Sequence, residues 1–365
     1  SFVRLDLIAR RRSVGWRMMA TAVLFLMLLG LSLMSSLHVG PLGQPEGARV
    51  LLGATAGLSL VAMLVNASAV FGGFASLFRL QVDLDTAVAI GMLVTFLHAC
   101  IMFFFPEAFA ASGSVLFNAA AVSALLFNGL GKLQMITRIS DNFALVGNED
   151  PKYALAYVEE EQDAQELGRG LTVGVPEVCY QKEIVNLKGY LNHSFAQDPA
   201  DESAQKWAPF LFLAGVLGVL AAVFLAKGGG TVVSAVTAFS GAVCACLPVA
   251  SLLAGNYPLK TACERLRESG VILTGYDAVY DFSDVNVVAL DAQDLFPGES
   301  VQLYSIKTFG SQSIDKALLD AAGVAIMTGG PLAAIFQRVI EGHTSILPEV
   351  DTLVYEEGMG VSGWV

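Results

Sequence analysis

The sequence predicts an α-helical polytopic membrane domain of about six helices, followed by a partial cytoplasmic α/β domain. Three observations carry this. Of 365 residues, 55% are hydrophobic and only 15% charged, with a mean hydropathy of +0.61. That is more apolar surface than a soluble fold of this length can bury. Six stretches are apolar enough to cross hydrocarbon, and after residue 255 short apolar runs begin to alternate with helical patterns.

A spanning helix needs roughly 20 apolar residues for about 30 Å of hydrocarbon, because lipid offers no partner to an unpaired backbone group. The stretches 18–37, 50–72, 86–105, 112–130, 208–226 and 232–255 meet this requirement, with Asn118 and Asn128 interrupting the fourth. Arg10, Arg11 and Arg12 precede the first, which is longer than a signal-peptide core and has no small-residue cleavage site, so it reads as a retained helix. With the N-terminus in the cytoplasm, only Arg49 and Lys227 of the 21 basic residues fall outside. The positive-inside bias thus predicts an integral membrane protein with the N-terminus and the C-terminal domain cytoplasmic, and a bacterial plasma membrane is its expected location.

Two polar regions remain, a loop over 131–207 and a tail from 256. In the loop, Glu159, Glu160, Glu161, Asp163 and Glu166 read as a solvated helix face rather than a hard-cation cluster. Ile184, Leu187, Leu191 and Phe195 recur at helical spacing and predict an amphipathic helix over 183–195. The tail predicts a helix through 268, a strand at Val271-Ile272-Leu273, a helical turn, and a buried parallel strand from Val285 to Leu290. That strand ends at Asp291. A carboxylate there either lies where α/β folds place ligands or simply caps the next turn.

The five cysteines form no paired CxxC arrangement, so neither a disulfide framework nor a zinc site is expected. A net charge of -12 without a basic patch beyond the three arginines argues against a nucleic-acid partner. His98 lies within the third span, where an ionisable residue is either a functional site or a neutral histidine bonded to a neighbouring helix.

Several motifs follow one another in a fixed order. Cys246-Leu247-Pro248-Val249 leads to Gly270-Val271-Ile272-Leu273-Thr274-Gly275, and Val287-Val288-Ala289-Leu290 ends in Asp291. Gly330-Pro331-Leu332-Ala333 and Gly358-Met359-Gly360-Val361 come after. From about residue 205 onward this order resembles the P-type cation-transporting ATPase superfamily, most closely its heavy-metal (copper, zinc, cadmium) class. Its Cys-Pro-Cys kink, Gly-Ile-Leu-Ile-Lys-Gly, phosphorylated aspartate, His-Pro-Leu-Ala and Gly-x-Gly segments occur in that sequence. The stretch from Pro248 to Asp291 aligns without a gap.

The resemblance implies four membrane helices over 1–130, a reduced loop in the actuator-domain position over 131–207, and two membrane helices over 208–255. It further implies the start of a haloacid-dehalogenase-like phosphorylation domain over 256–300 and part of a nucleotide-binding domain over 301–365. The implied activity is ATP-driven ion translocation through an aspartyl-phosphate on Asp291, with ATP and Mg2+ as cofactors. Pro331, Gly358 and Gly360 would then lie against the nucleotide. Cys246 and Pro248 would mark the path of a metal cation through the lipid bilayer, since a proline frees backbone carbonyls in a membrane helix. Read from the residues alone, Pro248 is equally a kink, and Cys244 and Cys246 are equally structural thiols.

Four departures from the family pattern make the motifs degenerate. Ala292-Gln293-Asp294 follows Asp291 in place of Lys-Thr-Gly, removing groups that hold phosphate and magnesium, and Asp294 adds a negative charge. No Thr-Gly-Glu occurs anywhere in the chain, and Gly330 replaces the histidine that stacks on adenine. The rest of the phosphorylation domain would lie beyond Val365, so the chain reads as truncated. These losses leave an alternative of a different class, a non-catalytic, pump-like membrane sensor or scaffold. A secondary transporter would show two related halves, and no such repeat is found.

Overall fold

The structure, a computed structural model, describes residues 2–79, 81–147, 152–171, 175–184, 189–196, 199–225, 232–290, 304–305, 307–308, 311–329, 332–341, 347–356 and 360–365. The chain divides into two compact units, residues 1–150 with 186–283, and 151–185 with 284–365.

The first unit is helical. It comprises α1 (Phe2–Leu37), the short α2 (Gly40–Gly43), α3 (Ala48–Val65), α4 (Ala67–Phe78), α5 (Leu84–Phe104), the short α6 (Pro106–Ser112) and α7 (Asn118–Val146). The second unit interrupts it with β1 (Lys152–Tyr157), α8 (Glu161–Leu167) and β2 (Val178–Ile184). The first unit then resumes with α9 (Tyr190–Ser194), α10 (Pro199–Leu225), α11 (Val232–Ala245), α12 (Ser251–Glu268) and α13 (Tyr276–Asp281). To the second unit also belong β3 (Val287–Ala289), α14 (Ile314–Thr328), α15 (Ala333–Ile340), β4 (Thr352–Glu356) and β5 (Gly360–Trp364).

Among the described residues four helices are long and apolar enough to cross a membrane: Val3–Leu37, Ala48–Val65, Leu84–Phe104 and Asn118–Val146. The prediction of about six single spans is corrected in two places. The second stretch breaks at Asn66, whose amide donates to the Thr21 hydroxyl on α1 (2.7 Å) and to the Ala62 carbonyl (3.1 Å). A buried amide must find partners, and side chains of this type compete with the helix ladder for them. The sixth stretch is α11 and α12 separated by residues 246–250, and α11 alone has 14 residues. The fifth lies inside the 27-residue α10.

Local chemistry explains the start of α5. Asp83 accepts from the Thr86 amide at 2.7 Å, while the Thr86 hydroxyl lies 3.3 Å from the Asp83 amide, a reciprocal capping box. The Thr86 hydroxyl also donates to the Gly73 carbonyl at 3.0 Å, tying α5 to α4. α7 begins six residues later than predicted and continues far past 130, packing on α1 and α12. At Gly131 a Cβ would stand 2.7 Å from the Leu252 carbonyl carbon and the Leu253 nitrogen. Backbone cannot yield there, so Gly131→Val is expected to destabilise the bundle by about 2 kcal/mol or more, read as a lower melting temperature in detergent.

Two further predictions are corrected. The 183–195 segment is not one helix: Ile184 ends β2 opposite Lys152, helix resumes only at Tyr190, and Leu187 lies outside the described residues. Val271-Ile272-Leu273 is not a strand: no neighbouring strand pairs with it among the described residues, and side chains take the Leu273 carbonyl. Asn142 Nδ2 and Cys263 Sγ both donate to the Leu273 oxygen, at 3.1 and 3.6 Å.

In the second unit β1 and β2 are antiparallel, and β2 pairs in parallel with β3 from Val178↔Val287 to Tyr180↔Ala289. The buried Ala164, Val178 and Val287 form the core of this sheet with Val158 and Ala289. Asn286 fixes the register, accepting from the Glu177 amide at 3.1 Å. The acidic residues of α8 are exposed and only Ala164 faces inward, which is the solvated face the sequence predicts. β4 and β5 form an antiparallel hairpin that packs on α14.

Candidate functional site within the helical unit

Polar side chains converge where α3, α5, α7 and α11 meet. Ser59, Thr95, His98, Asn118 and Ser240 are each at most 1% exposed. Asn118, the first residue of α7, donates to the Ser59 hydroxyl at 2.8 Å and to the Thr95 carbonyl at 3.1 Å. One turn along α5 from Thr95, His98 Nε2 lies 3.3 Å from the Thr237 hydroxyl of α11. The His98 ring stacks on Phe117 with centroids 6.4 Å apart, and Cys244 Sγ lies 3.9 Å from the Phe117 carbonyl.

Two atoms of this cluster, His98 Nδ1 and Asn118 Oδ1, are buried without a partner, as is Ser240 Oγ three residues along α11 from Thr237. An unsatisfied buried polar atom costs about 1–3 kcal/mol, and native folds carry few of them. The Asn118 and Ser240 oxygens carry lone pairs, and His98 Nδ1 carries one in the tautomer that donates from Nε2 to the Thr237 hydroxyl; none of them belongs to an ionised carboxylate. Neutral oxygen and imidazole nitrogen donors can replace part of a cation's hydration shell inside a membrane. The α5 carboxylate lies at the other end of the helix, about 15 Å along it from Thr95, and is already engaged: Asp85 Oδ1 accepts from Asn128 Nδ2 at 2.6 Å, and Asp85 Oδ2 pairs with the Lys132 ammonium.

Pro248 stands at the helix break. The Leu247 amide donates to the Cys244 carbonyl at 3.2 Å and the Val249 amide to the Leu247 carbonyl at 2.9 Å, tight turns that replace the helix ladder. Leu247 is buried against Gly91 of α5, where a Cβ would come within 2.7 Å of it. Gly91 precedes His98 by seven residues, so the break lies about 10 Å along α5 from the polar cluster. Cys246 is exposed and Cys244 half-buried, and all five cysteines are free thiols. Among the described residues no group of three or more His, Cys, Asp or Glu could hold a metal ion.

Below the break, α12 and residues 271–275 are clasped by α7. Arg138, 4% exposed, donates from Nη1 to the Thr274 carbonyl (2.7 Å) and from Nη2 to the Ser194 carbonyl (3.1 Å). Beside it the Tyr190 hydroxyl donates to the Ile139 carbonyl at 3.2 Å. Burial pushes that hydroxyl from its ordinary 10.0 up to about 12, and likewise raises the Cys263 thiol. A raised tyrosine favours the protonated folded state, so this stability is complete below pH 10 and is lost as pH rises towards 12. Tyr190→Phe is expected to flatten that alkaline loss at a cost of about 1 kcal/mol near neutrality, measured by melting temperature against pH.

Of the residues singled out in the sequence, the structure brings His98 into the polar cluster and places Pro248 at the break two turns away. Gly360 opens β5 opposite Glu356, with a positive φ of 113°. Asp291, Pro331 and Gly358 lie outside the described residues. Sequence reasoning missed Ser59, Thr95, Thr237 and Ser240, and took Asn118 for an interruption. The available signal was polar residues within apolar runs, which hydropathy averaging erases. In comparisons with known proteins, no family model matches the chain and no curated protein matches it.

Proposed function

We propose that this chain belongs to an ATP-driven cation translocator of the P-type ATPase superfamily, heavy-metal-like in layout. The carrying observation is the buried polar cluster around Asn118 and His98, which leaves Asn118 Oδ1 and His98 Nδ1 without partners, in a bundle with a helix broken at Pro248. The cation is held by neutral oxygen and nitrogen donors. Pro248 marks its path, and Cys246 stands at the mouth of the break rather than in a thiolate cage.

In this reading α12 links the break to the start of a haloacid-dehalogenase-like domain, whose strand β3 delivers Asp291 as nucleophile to the γ-phosphate of ATP. Mg2+ supplies charge neutralisation to that transfer. Pro331, Gly358 and Gly360 border the nucleotide, and the soluble segments are cytoplasmic in a bacterial plasma membrane. The pairing of β2 with β3 joins the segment between α7 and α10 to the strand that precedes Asp291 in the chain. The test is ATP-dependent uptake of a panel of cations into proteoliposomes. Uptake of at least one supports the reading, and none with any cation opposes it.

A second reading is favoured by Ala292-Gln293-Asp294 after Asp291, which lack the lysine and threonine that hold phosphate. It is a non-catalytic, pump-like sensor or scaffold that binds cation or nucleotide without transport. It predicts cation-dependent thermal stabilisation with no uptake.

A further inference from the structure

A second site is built independently of the cation cluster. A cavity of about 480 Å³ opens between α1, the α3–α4 junction and α7, with Arg10, Arg17, Ser68 and Lys132 on its walls and Met18 and Leu125 among its apolar lining. The charges are not equivalent. Arg10 is paired with Asp6 one turn away (2.8 Å), and Lys132 is paired with Asp85. Arg17 is half-buried, donates from Nη1 to Ser68 Oγ at 2.5 Å, and has no carboxylate within ion-pair reach among the described residues.

The geometry points to an anionic phospholipid headgroup as the occupant, with its phosphate on the Arg17 guanidinium. A guanidinium presents five donors in a planar fork that matches two phosphate oxygens, and one hydroxyl occupies only one of them. Arg17 directly precedes the apolar run of α1 that starts at residue 18, which sets the cavity at headgroup depth. Met18 and Leu125 give the same cavity an apolar wall for the first acyl carbons, which a free phosphate ion would leave unused.

The test uses the full chain in non-ionic detergent, titrated with dioleoyl-phosphatidylglycerol, dioleoyl-phosphatidylcholine or inorganic phosphate, and reads bound lipid by native mass spectrometry. Phosphatidylglycerol is expected to be retained about tenfold over phosphatidylcholine, and Arg17→Gln to abolish that ratio, the scale of one charge-assisted hydrogen-bond pair. Ser68→Ala, which releases the arginine without removing it, is expected to reduce the ratio about threefold and serves if Arg17→Gln does not fold. Equal retention of the two lipids, or a ratio that survives Arg17→Gln and Ser68→Ala, overturns the proposal. Displacement of phosphatidylglycerol by millimolar inorganic phosphate overturns the lipid assignment in favour of a simple phosphate site.

Discussion

Arg138→Leu is expected to destabilise the helical unit by about 2–3 kcal/mol and to speed amide exchange over residues 271–275. The arginine is the pin of the junction below the helix break, holding the Thr274 and Ser194 carbonyls with two charge-assisted bonds. Hydrogen bonds from a charged donor contribute roughly 1.5–3 kcal/mol each, and the leucine leaves both buried carbonyls unpaired. Removing a desolvated charge offsets part of this, since the Arg138 Nε is buried without a partner. Arg138→Lys separates the terms: an ammonium keeps the charge but not the fork, and is expected to restore about half the stability. Unchanged exchange at 271–275 in Arg138→Leu would show that Asn142 and Cys263 hold the segment alone.

Asn118→Leu is expected to lower cation uptake at least tenfold while leaving the melting temperature within the equivalent of about 1 kcal/mol. The leucine deletes the unpartnered Oδ1 and the bond to Ser59, but Ser59 keeps its own bond to the Thr55 carbonyl at 2.8 Å. A cluster that served only packing would respond in the opposite way, because a buried amide replaced by an apolar group of similar volume changes stability and nothing else. Comparable uptake in Asn118→Leu and the unmodified protein, measured with the same cation, would remove the cluster from the path.

What could be read from residues alone follows the physics each signal reports. The third stretch, predicted at 86–105, is found at 84–104, because a continuous apolar run next to a capping Asp83 leaves one solution. The break at Asn66 was hidden, since one amide scarcely alters an average over twenty apolar residues, yet its bond to Thr21 ends α3. Pro248 was visible, but a proline alone does not say how many residues leave the helix. Here five do, because Leu247 turns inward onto Gly91. The helical spacing of Ile184, Leu187, Leu191 and Phe195 was real and lost to strand pairing, as β1 claims Ile184 through Lys152.

The same contrast holds for the site. His98 was legible because an ionisable group in an apolar run is conspicuous. Its companions were not, because serine, threonine and asparagine are ordinary in membrane helices, and only the packing of four helices shows which of them face one another.

The central claim, cation translocation through a phosphorylated aspartate, is tested most directly by the phosphoenzyme. The protein is incubated with γ-labelled ATP, Mg2+ and each cation of a panel, quenched in acid, and treated with hydroxylamine. The account predicts acid-stable, hydroxylamine-sensitive label that depends on the cation and disappears in Asp291→Asn. Absence of label with every cation, or label that persists in Asp291→Asn, would contradict it.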